Sequence, residues 1–339
     1  MLLLAPRSNH CISQWLAGEL SAVSALLESE LVSDLDCVNE LIGHIEAYRG
    51  KMLRPMLVLV SGLAVSALHR PLGEGPSWRR NAAQQKVAGV VEMVHLATLV
   101  HDDVLDEAEL RRGRPTLNAL RGNEAAVMMG DFLLSHAYRL CSSLEQSWVA
   151  EAIAQTTNTV CEGELLQLAN RDNWELGEST YLEIVQRKTA SLCGVCCELA
   201  ARLEGAPEQV VTALGSYGRD VGVAFQITDD LLDLLGNEDA VGKSLGRDLL
   251  KGKLTLPMIH GLACGAAERE AIMGLCNDQP PAAIRQLQQT LESCGSLAYA
   301  RGIAERLIDR AKVALGALPA SAAREALEDM ADSVVTRRL

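Results

Sequence analysis

Val87-Ala88-Gly89-Val90-Val91-Glu92-Met93-Val94-His95-Leu96-Ala97-Thr98-Leu99-Val100-His101-Asp102-Asp103-Val104-Leu105-Asp106 is the stretch on which the fold turns. Val87, Val90, Val91, Val94 and Thr98 recur at helical spacing, and the run stays largely apolar until it meets three aspartates. A surface helix would carry more Lys or Glu ahead of such acids, so the segment reads as a core helix. Similar periodicity extends over most of the 339 residues. Alternating strand patterns of useful length are absent, aromatic residues make up only 3%, and the abundant Ala and Leu favour helix. Breaks fall at Pro71–Ser77, Gly205-Ala206-Pro207, the polar segment Gly236–Gly252 and Asp278–Pro281. No linker is long enough to separate domains. The expectation is an all-α fold, a single-domain bundle over residues 1–339 that is larger than a four-helix bundle.

Composition narrows the function. With 48% apolar residues the chain can bury a large core. A net charge of -13 argues against nucleic acid, whose binding runs on Lys and Arg; a local basic pocket for a small anion remains compatible. The apolar start Met1–Pro6 is too short for a signal peptide, and no run of about 18 apolar residues predicts a membrane span. Ten cysteines without a secretory signal suggest a reducing cytoplasm and free thiols. Cys193, Cys196 and Cys197 form a C-x-x-C-C cluster, but no further metal ligands lie nearby, and the cluster reads as core.

The aspartates recur. Asp102-Asp103-x-x-Asp106 has a counterpart in Asp229-Asp230-x-x-Asp233, again after an apolar lead-in, Gly222-Val223-Ala224-Phe225-Gln226-Ile227. On a helix the first and last aspartate of each cluster project from one face, with the middle one partly aside. Two unit charges about 5 Å apart repel by roughly 3 kcal/mol at an effective dielectric of 20. A cation should compensate, and an oxygen-only donor set suits Mg²⁺, which takes one or two carboxylates plus substrate phosphates. One such cluster could be a solvated acidic face; two, each followed by basic residues, are a much stronger signal. The basic groups are Lys51 and Arg54 upstream, Arg111-Arg112-Gly113-Arg114 after the first cluster, Lys188-Thr189, and Lys243 and Lys253 after the second. Around metal carboxylates they would suit anionic phosphates.

The ordered set resembles the trans-polyprenyl diphosphate synthases of the isoprenoid synthase superfamily, long-chain type. It comprises Gly50-Lys51-x-x-Arg54-Pro55, His95, the first aspartate cluster with Arg111-Arg112-Gly113, Gly130-Asp131-Phe132, Lys188-Thr189, Gln226 with the second cluster, Gly242-Lys243 and Gly252-Lys253-x-Thr255-Leu256-Pro257. The resemblance implies a helical bundle with a central tunnel and a Mg²⁺-dependent condensation of isopentenyl diphosphate with an allylic diphosphate such as farnesyl diphosphate. It implies that Asp102 and Asp106 bind Mg²⁺, with Asp229 on a further ion from a facing helix, three ions in all. Asp103, Asp230 and Asp233 would be supporting ligands. Arg111, Lys188 and Lys253 would contact the allylic diphosphate, with Lys243 approaching as Gly236–Gly252 closes. Gly50, Lys51, Arg54, His95 and Arg112 would form the isopentenyl diphosphate site. Thr189 and Gln226, with Lys188, would line the reaction centre. A cytoplasmic homodimer is implied as well.

Product length should depend on the residues one turn above the first cluster. Ala97 and Thr98 are small where short-chain relatives carry bulky aromatics, which predicts a long product, roughly C30 to C50 by analogy. Met128, Met129 or Phe132 on the next helix, or Met93 and Val94, could form the floor. The chain departs from the family pattern in reading Arg49-Gly50-Lys51-Met52 for Gly-Gly-Lys-Arg, and in Ser333 near Arg337 where Tyr is frequent. Shorter-chain synthases, class I terpene cyclases and non-catalytic synthase subunits are the rivals. The second cluster with Lys51, Arg54 and His95 argues against a cyclase, and two intact clusters argue against a non-catalytic subunit.

Overall fold

The computed structural model describes residues 10–69, 81–235, 251–278 and 281–336. The Pro71–Ser77 loop, most of Gly236–Gly252 with Lys243, and Arg337 lie outside the described residues. The all-α expectation holds. The helices are α1 (His10–Leu31), α2 (Asp36–Glu46), α3 (Leu53–Ser66), α4 (Ala82–Leu105), α5 (Leu117–Ser142), α6 (Ser147–Ala169), α7 (Glu178–Val185), α8 (Ser191–Leu203), α9 (Glu208–Leu235), α10 (Leu256–Cys264), α11 (Ala266–Asp278), α12 (Pro281–Ser293), α13 (Ser296–Ala314) and α14 (Ala322–Val335). Among the described residues, β-structure is limited to a hairpin of two two-residue strands, β1 (Leu110–Arg111) and β2 (Arg114–Pro115). No described helix is long and apolar enough to cross a membrane.

Contacts gather into two compact units. The first comprises Met1–Thr157, Leu192–Gly218 and Ala314–Met330. Its centre is α3, buried almost all round from Leu53 to Val65, as a helix apolar on every face must be. Beside it α4 packs on α1, α3 and most extensively α5. The α4 valines behave as their spacing predicts: Val87, Val90, Val91 and Val94 are fully buried. Asn81 caps the helix, accepting from the amides of Ala83 and Gln84 at 3.0 and 3.3 Å, which satisfies two of its otherwise unpaired donors. The α4–α5 approach is close at Gly130, where a Cβ would stand 2.1 Å from His101 Nε2.

The second unit comprises Asn158–Ser191, Arg219–Val313 and Ala331–Leu339. There α10 packs on α7, α11 and α12. Arg310 Nε donates to Asp220 at 2.7 Å and Tyr299 Oη to Glu178 at 2.9 Å.

The cysteine cluster is core. Cys193, Cys196 and Cys197 on α8 are at most 1% exposed and, among the described residues, form no disulfide, and burial pushes the Cys193 and Cys196 thiols up. Among the described residues, no group of three His, Cys, Asp or Glu side chains is arranged to hold a metal.

Candidate active site

The first aspartate cluster sits at the C-terminal end of α4. Leu105 is the last helical residue, and Asp106 caps the helix with φ −95° and ψ 0°, its amide bonded to the Asp102 carbonyl at 2.8 Å. Asp102 and Asp106 thus remain one turn apart and half-buried. The carboxylates lie where the helix dipole is already negative, so their repulsion is sharpened and the need for a cation grows. Asp103 turns inward and is 1% exposed.

A tight hairpin answers Asp103. After Glu107 at φ 48° the chain enters β1, turns through Arg112 and Gly113 at φ 53° and 74°, and returns along β2. Two successive positive φ values mark a type I′ turn, for which the second residue is characteristically glycine. The turn swings Arg111 back onto Asp103. Its Nε lies 3.0 Å from each carboxylate oxygen, and its Nη2 reaches Oδ1 at 2.7 Å. Burial works to lower the Arg111 pKa, but the hydrogen bonds and charge of Asp103 overcome it and raise it. Tyr48 supports the pair: its ring lies 5.7 Å from the Arg111 guanidinium and its hydroxyl accepts from the Leu117 amide at 2.8 Å. Burial, and then the Asp103 charge, push Tyr48 up to about 12.

A basic cluster forms around Glu92, one turn before His95 on α4. Glu92 is 2% exposed; burial raises its pKa, while Arg54, Arg49 and Arg112 pull it down. Burial, followed by Arg54, Arg111 and Arg112, holds His95 well below the ordinary histidine range, so it stands neutral at pH 7. Arg112 Nη1 donates to the Arg49 carbonyl at 2.6 Å. A Cβ on Gly50 would stand 2.3 Å from Arg112 Nη2, so the glycine makes room for that guanidinium. Lys51 is exposed and Arg54 half-buried. Gly50, Arg54, His95 and Arg112 therefore belong to one neighbourhood, and no contact among the described residues ties Lys51 to it.

In the second unit, Gln186–Ala190 forms a π-helical turn joining α7 to α8, and it carries Lys188 and Thr189. Gly163 on α6 admits it closely: a Cβ there would stand 2.7 Å from the Lys188 amide nitrogen. Lys188 pairs with Glu164 and donates to Gln167 at 2.9 Å. Thr189 Oγ1 donates to Gln226 Oε1 at 3.0 Å, Gln226 Nε2 donates to Asp230 Oδ1 at 2.8 Å, and Tyr181 Oη donates to Asp230 Oδ2 at 2.6 Å. Asp230 is 4% exposed and occupied by this relay, whereas Asp229 and Asp233 are half-buried. Lys253 is half-buried beside Gly252, whose φ is 68° and whose carbonyl accepts from the Asp172 amide at 2.9 Å.

The product-length candidates divide. Ala97, Met93 and Val94 are fully buried; Thr98 is half-buried, with its hydroxyl on the His95 carbonyl at 2.7 Å. Phe132 is half-buried against His136, ring centroids 4.2 Å apart. Met128 does not fit as a tunnel floor. It is 64% exposed and encloses nothing within a single chain.

Sequence reasoning missed Tyr48, Glu92, Glu164, Gln167 and Tyr181. Glu92 left a signal, a lone acid in an otherwise apolar helix. The others act through contacts distant in the chain.

Comparison with known proteins bears on this arrangement. Residues 36–294 match the family model described as polyprenyl synthetase. Octaprenyl diphosphate synthase of Escherichia coli K12 is 34% identical over 328 residues, spanning 96% of this chain and 98% of that protein. A crystal structure of a Caulobacter crescentus polyprenyl synthase, complexed with calcium and isoprenyl diphosphate, is 33% identical with a TM-score of 0.87, over 96% of this chain and 97% of that one. Geranylgeranyl pyrophosphate synthetase of Pyrococcus horikoshii is 30% identical with a TM-score of 0.85, over 97% of this chain and all of that one.

Proposed function

The chain belongs to the polyprenyl synthetase family and is a prenyltransferase; from that premise we propose that it extends an allylic diphosphate with isopentenyl diphosphate to a long all-trans product, roughly C30 to C50 by analogy. The observation that carries this reading is the pairing, within the first unit, of the half-buried Asp102 and Asp106 with the arginines around Glu92. Acids able to hold a divalent metal lie in the same unit as a cationic cluster suited to a second diphosphate.

The donor set fits Mg²⁺. It is all oxygen and, among the described residues, supplies too few carboxylates at any one point to complete a cage, as suits an ion that keeps waters and substrate phosphates. Asp102 and Asp106 would hold it, Asp229 and Asp233 would hold a further ion, and we propose three ions in all. Bound Mg²⁺ supplies Lewis-acid stabilisation of the leaving diphosphate. By the family resemblance, Arg111, Lys188, Lys243 and Lys253 would serve the allylic diphosphate, and Lys51, Arg54, His95 and Arg112 the other.

The relay in the second unit prepares for a cation. Asp230 takes the Gln226 amide nitrogen, which leaves the Gln226 carbonyl to accept from Thr189. Both oxygens are then fixed with lone pairs available to an electron-deficient allylic carbon, and fixed dipoles need no reorganisation as charge develops. The small side chain of Ala97, one turn before the first cluster, supports the long-chain part of the reading by analogy. We further propose that the whole chain acts as one catalytic domain, as a cytoplasmic homodimer. The exposed apolar residues Leu120, Val127, Met128 and Tyr138 on α5 support self-association.

Incubating the purified chain with Mg²⁺, farnesyl diphosphate and isopentenyl diphosphate, followed by chromatography of the products, tests the reading. A long-chain product is expected, lost on chelation. A C15 or C20 end product would remove the long-chain assignment, and no turnover would remove the function. Light scattering of the same sample tests the dimer.

A further inference from the structure

We propose that Arg49 is an additional diphosphate-binding residue of the isopentenyl side of the site, held in place by the buried carboxylate of Glu92; this rests on the prenyltransferase reading above.

The family pattern has glycine at position 49 and arginine at position 52; here the positive charge has moved from one to the other. The structure places the two side chains differently. Met52, at φ 53°, lies with its sulfur 3.8 Å from the Ser24 hydroxyl of α1. Arg49 instead joins Arg54 and Arg112 in the electrostatic neighbourhood of Glu92. The side chain of Arg49 is only 13% exposed, yet its Nε and Nη2 have no hydrogen-bond partner, and neither does Nε of Arg54. Glu28 and Glu46 approach Arg49 no closer than 3.8 and 3.9 Å, beyond hydrogen-bonding length.

A buried guanidinium has five donors to satisfy, and leaving them idle is costly. The idle donors in this cluster belong to two neighbouring arginines. Glu92, Glu28 and Glu46 offset the charge of the three arginines, but none of them takes up the idle donors of Arg49 and Arg54. What those donors lack is an acceptor with several oxygens in reach of more than one guanidinium. A diphosphate monoester has that chemistry, and arginine binds such oxygens through paired donors. Glu92 is then a positioning residue: its carboxylate offsets the mutual repulsion of Arg49, Arg54 and Arg112 and keeps them together before substrate arrives. Arg112 ties the arrangement to the backbone through its bond to the Arg49 carbonyl.

The test is steady-state kinetics of wild type and Arg49→Met, which keeps the stem and removes the charge, together with calorimetric titration by inorganic pyrophosphate. The KM for isopentenyl diphosphate should rise about ten-fold, the loss of one charge-assisted contact, while the KM for farnesyl diphosphate moves less than about two-fold. Pyrophosphate affinity should fall in parallel. In a Glu92→Gln background the Arg49→Met step should shrink, because an unanchored Arg49 has less to lose. Arg49→Lys should recover part of the affinity. An active wild type with an unchanged KM for isopentenyl diphosphate in Arg49→Met overturns the inference and leaves the prenyltransferase reading standing. A parallel rise in both KM values also overturns it, pointing to general distortion. No turnover by the wild type overturns both.

Discussion

Arg111 closes on Asp103 through Nε and Nη2, with contacts of 3.0 and 2.7 Å. One carboxylate of the first cluster therefore has its counter-charge within the protein, and the three aspartates should respond differently to substitution. Asp103→Ala strands a largely buried guanidinium and should destabilise the fold by about 3 kcal/mol, read from urea unfolding. Asp102→Ala should change stability by under about 1 kcal/mol and lower kcat roughly 100-fold or more, if it holds the metal. Equal destabilisation by both would contradict the division.

Tyr181 is the outermost donor of the relay through Asp230 and Gln226 to Thr189. Tyr181→Phe should cost about 1 kcal/mol of stability for the lost hydrogen bond and lower kcat about ten-fold as Gln226 loses its fixed orientation. Tyr217→Phe is the control. It removes a buried hydroxyl bonded to the Leu327 carbonyl at 2.7 Å, and should lower stability alike without the kinetic effect.

Gly50→Ala brings a methyl against the tip of the Arg112 side chain. Since the obstacle is a flexible end, stability should change by under about 1 kcal/mol; the displaced guanidinium should raise the KM for isopentenyl diphosphate about five-fold. Gly218→Ala meets backbone instead, the Cys193 carbonyl oxygen at 2.4 Å, and should destabilise by about 2 kcal/mol. Thermal melts of the two variants make the comparison.

Tyr48 has a folded-state pKa raised to about 12. The folded protein keeps that proton longer than the unfolded chain, which loses it near pH 10. The contribution is therefore complete below about pH 10 and declines as pH rises toward 12. Unfolding midpoints in urea, taken below pH 10 and at about pH 11, should show a steeper alkaline loss in wild type than in Tyr48→Phe. Parallel slopes would contradict the shift.

Ala97→Phe should shorten the product. The site is fully buried, so overpacking should cost about 1–3 kcal/mol as well. Chromatography of the end products decides, and an unchanged distribution would place the length control elsewhere.

The fold class was legible because the apolar residues of α4 keep helical spacing and Ala and Leu dominate a chain without strand alternation. The family was legible in the ordered motifs, and the positions of Asp102, Asp106, Asp229 and Asp233 along their helices follow from periodicity, a local property. Contacts across the chain were not. Nothing near Tyr181 announces Asp230, 49 residues away, and nothing near Tyr48 announces Leu117. The hairpin that returns Arg111 to Asp103 was missed because strands of two residues leave no alternation to read. Met128 misled because an exposed methionine in a helical run looks like a buried one. Lys243 lies outside the described residues and remains a proposal.

The π-helical turn at Gln186–Ala190 has a consequence for insertions and deletions. Such a turn holds one residue more than an α-helical turn. Removing any one of those five residues would let α7 and α8 merge into a regular helix with its backbone bonds intact. The same deletion would rotate whatever lies beyond it by about 100°, and Lys188 and Thr189 could not both keep their bearings toward Gln167 and Gln226. A chain one residue shorter here would be a better helix and a poorer enzyme, so length at this point is under a constraint that helix propensity alone opposes.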